Sequence, residues 1–262
     1  MKKGLIKLLK MKIRYSILFI SCLAGLILYS CSKKNEESDL YLASSGIKQI
    51  ISTDVTYNVV TTYQFSYQSG SPVQLTVIYS DKSRDSMLFK YDSNNKLIQI
   101  RWNSENLIIN YSYDKNGDID TVRNIQNSWT QCWHYNDQHE LVFVSYPGFP
   151  EDTLSMDWNS EGDVISADFL NAHYTVTYDN MVNPFIGFPE QPAVLTGMIN
   201  VGAYFVSPPT KNNVIEAIAV SGQSTSRMSL KYEYNCNSLP TKMYESSYDG
   251  YQQDSVICEF SY

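Results

Sequence analysis

Four oxygen-bearing side chains, Asp114, Asn116, Asp118 and Asp120, stand at alternate positions in the stretch YSYDKNGDIDTV. Carboxylates and amides in that rhythm are the ligand types of a calcium loop. An EF-hand loop, however, has glycine sixth and a bidentate glutamate twelfth. Counted from Asp114, the glycine is fourth (Gly117) and the twelfth residue is Ile125. The same letters also read as a tight turn between two strands. There the aspartate bonds its own backbone and the glycine takes a left-handed conformation.

The stretch recurs, and the copies separate the two readings. Related segments begin at Phe89 (FKYDSNNKLIQI), Cys132 (CWHYNDQHELVFV), Ser155 (SMDWNSEGDVI), Tyr174 (YTVTYDNM) and Lys231 (KYEYNCNSLP). Their aromatic anchors are Tyr91, Tyr113, Tyr135, Trp158, Tyr178 and Tyr234, spaced by 22, 22, 23, 20 and 56 residues. A looser copy anchors at Tyr67. At the four candidate ligand positions the preceding unit has Asp92, Asn94, Lys96 and Ile98. The following unit has Asn136, Gln138, Glu140 and Val142. The last two oxygens are not kept. A turn is therefore expected, with calcium at Asp114, Asn116, Asp118 and Asp120 as the minor alternative.

Each unit alternates before its anchor, as in Leu107, Ile109, Tyr111 and Tyr113, which is the period of a strand. Asp or Asn follows the anchor. Asn95, Gly117 or Gly162 then fills the left-handed slot of a bulged type I turn, and a second apolar strand follows. One unit is one β-hairpin of about 22 residues. A long clean alternation is also read from Val55 to Tyr67. Between Asn183 and Asn213 five prolines interrupt the pattern. A loop with a short helix around AVLTGMI is expected there. The fold class is thus all-β: a long antiparallel meander of hairpins in a strongly curved sheet, an open barrel or clam, with one proline-rich insertion at about 181–213. The alternation of Val256, Cys258, Phe260 and Tyr262 predicts that the last strand pairs inside the sheet.

Other chemistry is sparse. His134, His139 and His173 match no zinc spacing. No GxSxG elbow is present. Glu151 with Asp152, and Glu161 with Asp163, are paired acids, but a glycosidase needs its two carboxyls across a sugar. No catalytic residue and no cofactor is expected, and an envelope hydrolase is the least favoured reading. Aromatic residues offer more, because flat rings on a rigid sheet can stack on sugars or grip a protein. Tyrosine numbers 21, and Trp102, Trp129, Trp133 and Trp158 lie in or beside the repeats. Trp158 replaces an anchor. Trp129 sits in a polar connection, so Trp129, then Trp102 and Trp133, are the candidate ligand-binding residues.

The N-terminus carries six basic residues up to Arg14, then 16 uncharged ones from Tyr15 to Ser30. That run is short for a membrane span and suits a secretory signal. It ends at LYSCSKKNEESD, where Leu28, Ser30 and Cys31 resemble the lipobox of bacterial lipoproteins, with Tyr29 an unusual occupant. The resemblance implies lipidation at Cys31, a signal peptide over 1–30, a polar tether over 31–46 and a single domain over 47–262. Cys22 after Ser21 is a rival, as are an ordinary cleaved signal and an uncleaved anchor. Met11 is an alternative start. Glu36, Glu37 and Asp39 partly resemble the surface-export signal of Bacteroides-type lipoproteins, or are simply a solvated linker.

Six of the 20 basic and none of the 27 acidic residues precede Cys31, which leaves a net charge of −13 from there on. Nucleic acid is therefore not an expected partner. Cys132, Cys236 and Cys258 are an odd set with no CxxC, so at most one internal disulfide is possible. The YDxxG turns resemble degenerate YD repeats of RHS-type proteins. With the lipobox, and with YDNMVNPF from Tyr178 and KNNV from Lys211, the chain is similar to a group of Bacteroides-type envelope lipoproteins. That resemblance implies an extended antiparallel sheet and an outer-membrane location, facing the periplasm or the cell surface. It implies no catalytic residues. The expected function is a lipid-anchored, non-catalytic envelope protein that binds a partner or serves as scaffold. A glycan-binding lipoprotein of a nutrient-uptake system is the alternative.

Overall fold

The computed structural model describes residues 46–104, 106–126, 128–149, 153–185, 210–248 and 253–262. The signal, Cys31 and the tether up to residue 45 lie outside these residues. So do the Glu151–Asp152 pair and the AVLTGMI segment.

Sixteen strands follow one another as a meander. The first eight are β1 (Gln49–Asp54), β2 (Val59–Gln68), β3 (Ser71–Ile78), β4 (Arg84–Tyr91), β5 (Leu97–Trp102), β6 (Leu107–Tyr113), β7 (Ile119–Asn124) and β8 (Thr130–Tyr135). The second eight are β9 (Leu141–Ser145), β10 (Leu154–Trp158), β11 (Val164–Phe169), β12 (Ala172–Val182), β13 (Asn212–Ser221), β14 (Ser224–Tyr234), β15 (Pro240–Tyr248) and β16 (Gln253–Ser261). Every neighbour pairs antiparallel, and β1 pairs with β16 from Gln49↔Ser261 to Asp54↔Val256. The sheet is therefore a closed barrel rather than an open barrel or clam. Closure leaves neither terminal strand with an unpaired edge.

Alternation assigns the two faces. On β4, Asp85, Met87 and Phe89 are buried while Leu88 and Lys90 are exposed; on β14, Met228 and Leu230 are buried while Ser229 and Lys231 are exposed. The buried side chains form one apolar cluster that runs around the wall, from Ile50 and Leu75 through Ile100 and Val144 to Met243 and Cys258. A side chain on the outside of a lone barrel is open to solvent, so the sealed apolar set faces inward. Lys90, Arg101, Arg123, Asp157 and Lys231 face outward and are exposed. A wall set in lipid carries an apolar outward band about 25 Å tall. This wall instead intersperses charged side chains with single apolar ones such as Leu88, Ile165 and Val220.

The expected strand from Val55 to Tyr67 is broken. Residues 55–58 form the turn between β1 and β2, where the Tyr57 amide donates to Asp54 Oδ1 (2.9 Å) and Asn58 has φ 54°. The apolar rhythm runs through this turn without burial: Val55 and Tyr57 are exposed. β1 itself, in QIISTD, was hidden by its polar residues. The buried pair Ile50 and Ser52 marks its inner face.

The barrel has two unlike rims. One, the anchor rim, carries the repeat turns, the start of β1 and the end of β16. All seven hairpins that turn there shift register just before the anchor, at Tyr67, Tyr91, Tyr113, Tyr135, Trp158, Tyr178 and Tyr234. The hairpins that turn at the far rim keep regular register.

Candidate functional site

The DKNG stretch is a turn. Asp114 Oδ1 accepts the amides of Asn116 (2.8 Å), Gly117 (2.8 Å) and Asp118 (3.0 Å), and Gly117 has φ 97°. Asp92, Asn136, Asn159 and Asn235 hold their own turns through the same side-chain oxygen. The left-handed residue three positions on is Asn95, His139, Gly162 or Ser238. Among the described residues no group of three His, Cys, Asp or Glu is placed to hold a metal ion.

The anchors have a second task. Strands joined at the far rim diverge before they reach the anchor rim: β3–β4 pairing stops at Gln74↔Leu88 and β5–β6 pairing at Gln99↔Asn110. At six of these splays the anchor donates to a carbonyl across the gap. Tyr67 donates to Ile47 O (2.7 Å), Tyr91 to Pro72 O (2.7 Å) and Tyr113 to Leu97 O (2.6 Å). Trp158 Nε1 donates to Leu141 O (2.9 Å) and Tyr178 to Val164 O (2.7 Å). Tyr262, directly after β16, donates to Pro240 O (2.8 Å) and takes an anchor's place outside the turn motif. Burial raises the phenol pKa of Tyr67, Tyr91, Tyr178 and Tyr262, so these groups stay protonated donors.

Side chains also link successive turns. Ser71 Oγ donates to Asn95 Oδ1 (3.0 Å), Lys96 Nζ to Gly117 O (3.0 Å), and His139 Nδ1 lies 2.7 Å from Asp118 Oδ2. The His139 pair bounds a cleft of about 420 Å³, lined by Asp114, Asp118, Asp120, Trp133, His134 and Asn136 among others. Hydrogen bonding to Asp118, and then its charge, raises the His139 pKa above the ordinary imidazole value. The carboxylates here cap turns and pair with His139, and do not converge on a common point.

One junction departs from the rule. β13–β14 pairing ends at Glu216↔Ser229. Yet β12 stays with β13 out to Asn212, and β15 stays with β14 out to Tyr234. The resulting window is lined by Thr177, Asp179, Ile215, Glu216, Leu230, Lys231, Tyr232 and Tyr234 and holds about 500 Å³. Its anchor is diverted. Tyr234 donates to Asp179 Oδ2 in a short bond and accepts from Asn213 Nδ2 (3.2 Å). Asp179 Oδ1 also accepts the amides of Met181 (2.9 Å) and Asn213 (3.3 Å). Beside it, the buried Asp163 takes the Asn212 amide (2.9 Å) and Nδ2 (2.7 Å). Asn183 Oδ1 accepts the Phe185 amide (3.0 Å), and the Asn183 amide donates to Lys211 O (2.9 Å). The motifs YDNMVNPF and KNNV are thus a polar clasp that binds the two stems of the proline-rich excursion to the barrel. Tyr232 is half-buried by surface area, but its phenol lies deep among protein atoms, and burial pushes its pKa well up.

The tryptophans do not share one surface. Trp133 is buried on β8 and lines the cleft beside His139. Trp102, at the far-rim end of β5, is half-buried and donates to the Asp85 carboxylate, which also accepts Ser104 Oγ. Burial works to raise the Asp85 pKa, but these bonds, with those from the Ser86 and Ser104 amides, outweigh it and bring it below the usual range. Trp129, in the β7–β8 connection at the same rim, is half-buried against the core. Of the paired acids, Glu161 is an exposed turn residue and Asp163 belongs to the clasp. His134 and His173 are exposed on strands, and His173 pairs with Asp168 at 2.8 Å. Cys132, Cys236 and Cys258 are free thiols, and burial pushes Cys258 up to about 12.

No family model and no curated protein matches this chain. Solved structures do. A porin-like protein from Bacteroides uniformis is 14% identical with a TM-score of 0.58, over 82% of this chain and 97% of that one. A porin-like protein from Bacteroides vulgatus is 12% identical with a TM-score of 0.39, over 82% of this chain and 98% of that one. A TcdB2-TccC3-Cdc42 structure is 10% identical with a TM-score of 0.29, over 75% of this chain and 9% of that one. The likeness to the first of these is one of fold: the chain shares its β-barrel architecture.

Proposed function

We propose that this chain is a lipid-anchored, non-catalytic β-barrel of the bacterial envelope that binds a partner or serves as scaffold, with Cys31 carrying the lipid. The observation that supports it is the polarity of the wall. A barrel with Lys90, Arg101, Arg123 and Lys231 outward interrupts the apolar band that a lipid-embedded wall carries, and a separate attachment would hold it at a membrane. The lipobox-like end supplies one, at the outer membrane on the periplasmic or cell-surface side. The Bacteroides porin-like neighbour is consistent with that envelope setting. A non-catalytic role fits the carboxylates, which hold turns and the clasp.

The test is palmitate labelling and membrane fractionation of the wild-type protein and a Cys31→Ala variant. The expected result is label and membrane association in the wild type alone. A Cys31→Ala protein that stays with the membrane through alkaline extraction overturns the reading.

Glycan binding is the second reading. It draws on Trp102 and Trp129, two half-buried rings at one rim. A glycan array probed with wild type and Trp129→Ala decides it. Binding lost in the variant supports it, and binding to no glycan removes it.

A further inference from the structure

The geometry points to the β13–β14 window as a docking slot for an extended polypeptide segment, held by strand addition. The inference rests on the binding reading above and gives it a partner class. Elsewhere a splay is short and is closed by an anchor donating to a strand carbonyl, as Tyr91 does to Pro72 and Tyr178 to Val164. At this junction the unpaired stretch covers 212–215 on one side and 230–234 on the other. The anchor there, Tyr234, bonds the side chains of Asp179 and of Asn213 on β13 in place of a strand carbonyl, and so bridges the outer end of the window alone.

The chemistry left open selects the ligand. The acidic and amide side chains around the window are bonded to protein groups: Asp179 to Tyr234, Met181 and Asn213, and Glu216 to Arg227 at 3.1 Å. A sugar would have to displace those bonds. On β13 the Asn212 and Asn213 amides are taken by Asp163 and Asp179, so Ile215 is the residue of that strand left to face Leu230 and Tyr232, and an extended peptide can meet the main-chain groups of these three from between the strands. The two-residue turn at Gly222–Gln223 makes Ser221↔Ser224 the first bonded pair. By alternation Leu230 and Tyr232 then aim their amides and carbonyls into the window. The lining sets the side-chain pattern. Ile215, Leu230 and Tyr232 favour apolar residues on the inner side of the segment, and exposed Lys231 favours an acidic residue on the outer side. A volume near 500 Å³ lies within the range of ligand sites, about 300–1,000 Å³.

The test is a phage-displayed random peptide selection on the purified protein, run in parallel on Ile215→Trp and on Leu230→Trp, which plug the window from opposite strands. Thermal melts establish that each variant is folded. Enriched peptides are then synthesised plain and with alternate residues N-methylated. The expected result is wild-type binding that weakens at least tenfold on N-methylation and in either folded plug variant. Hydrogen-exchange protection should be confined to 212–216 and 229–234. No enrichment over the plug variants, affinity that survives N-methylation, or protection elsewhere overturns the proposal. Any of these leaves the Cys31 experiment, and the envelope reading with it, to stand or fall separately.

Discussion

The two rims close the same sixteen strands by different means. At the anchor rim the backbone bonds give out early, and side chains take over: an Asx oxygen inside five of the turns, an anchor hydroxyl or indole across six of the splays, and bridges between successive turns. At the far rim the ladders run regularly to the hairpins, and the Asx oxygens of Asp54, Asp81 and Asn124 brace turns without an anchor across a splay. Val55, Tyr57, Tyr79, Ile125, Phe149, Leu170 and Tyr248 are large apolar residues left exposed at or beside far-rim turns. The difference teaches where sequence is constrained by architecture: a residue that replaces a missing backbone bond must be of one kind, whereas a residue on a complete ladder is optional.

The sharpest way to break this comparison is in the clasp. Asp163→Ala removes a buried acceptor and strands two Asn212 donors, which is expected to cost about 2–4 kcal/mol. Asp81→Ala, at a far-rim turn, removes a bond to the Ser83 amide that water can replace, and no measurable change is expected. Urea melts at unchanged m-value measure both. Equal losses at the two sites would mean that the anchor rim has no special dependence on its side chains.

A finer test compares two tyrosines. Tyr91→Phe deletes only the hydroxyl that bonds Pro72 O, for an expected loss of about 1 kcal/mol. Tyr57→Phe at the far rim is expected to cost less, because water can take over what an exposed hydroxyl bonds. A neutral Tyr91→Phe would reduce the anchors to ring packing and remove the account of how the splays are closed.

The same division explains what could be read from the sequence. The hairpin unit, its left-handed slot and the antiparallel meander were legible because each copy must solve one local problem with one residue set, as Asp92, Asp114 and Asn136 do. The turn at 55–58 was not, since Val55 and Tyr57 keep the strand rhythm without being buried. Closure was not legible either: it depends on the pairing of Gln49 with Ser261, and no local pattern encodes so distant a contact. His139 and Ser238 fill left-handed positions that a search for Gly or Asn passes over. The window escaped notice because it is made by strands that stop pairing, and the residues that bound it, Ile215 and Leu230, look like any other strand residues. YDNMVNPF and KNNV could be noticed as departures from the repeat, but that Asp179 captures the Tyr234 anchor is a fact of three dimensions.

The smallest effect expected is electrostatic, at the bridge between two turns. His139 is held above its ordinary pKa by hydrogen bonding to Asp118 and by that carboxylate's charge. A raised folded-state pKa means that the contribution to stability is fully present below the unfolded value, about 6.5, and is lost as pH rises through the folded value. The pair is exposed on the imidazole side, so solvent and salt weaken it. It is better detected as a titration than as a melt. In an NMR titration the His139 midpoint should lie above the ordinary imidazole value, about 6.5, and Asp118→Asn should bring it down toward that value. If His139 titrates at the same pH in both proteins, the turn-to-turn bridges are incidental contacts. The anchor rim would then be seven independent hairpins placed side by side, with no linked ring of turns.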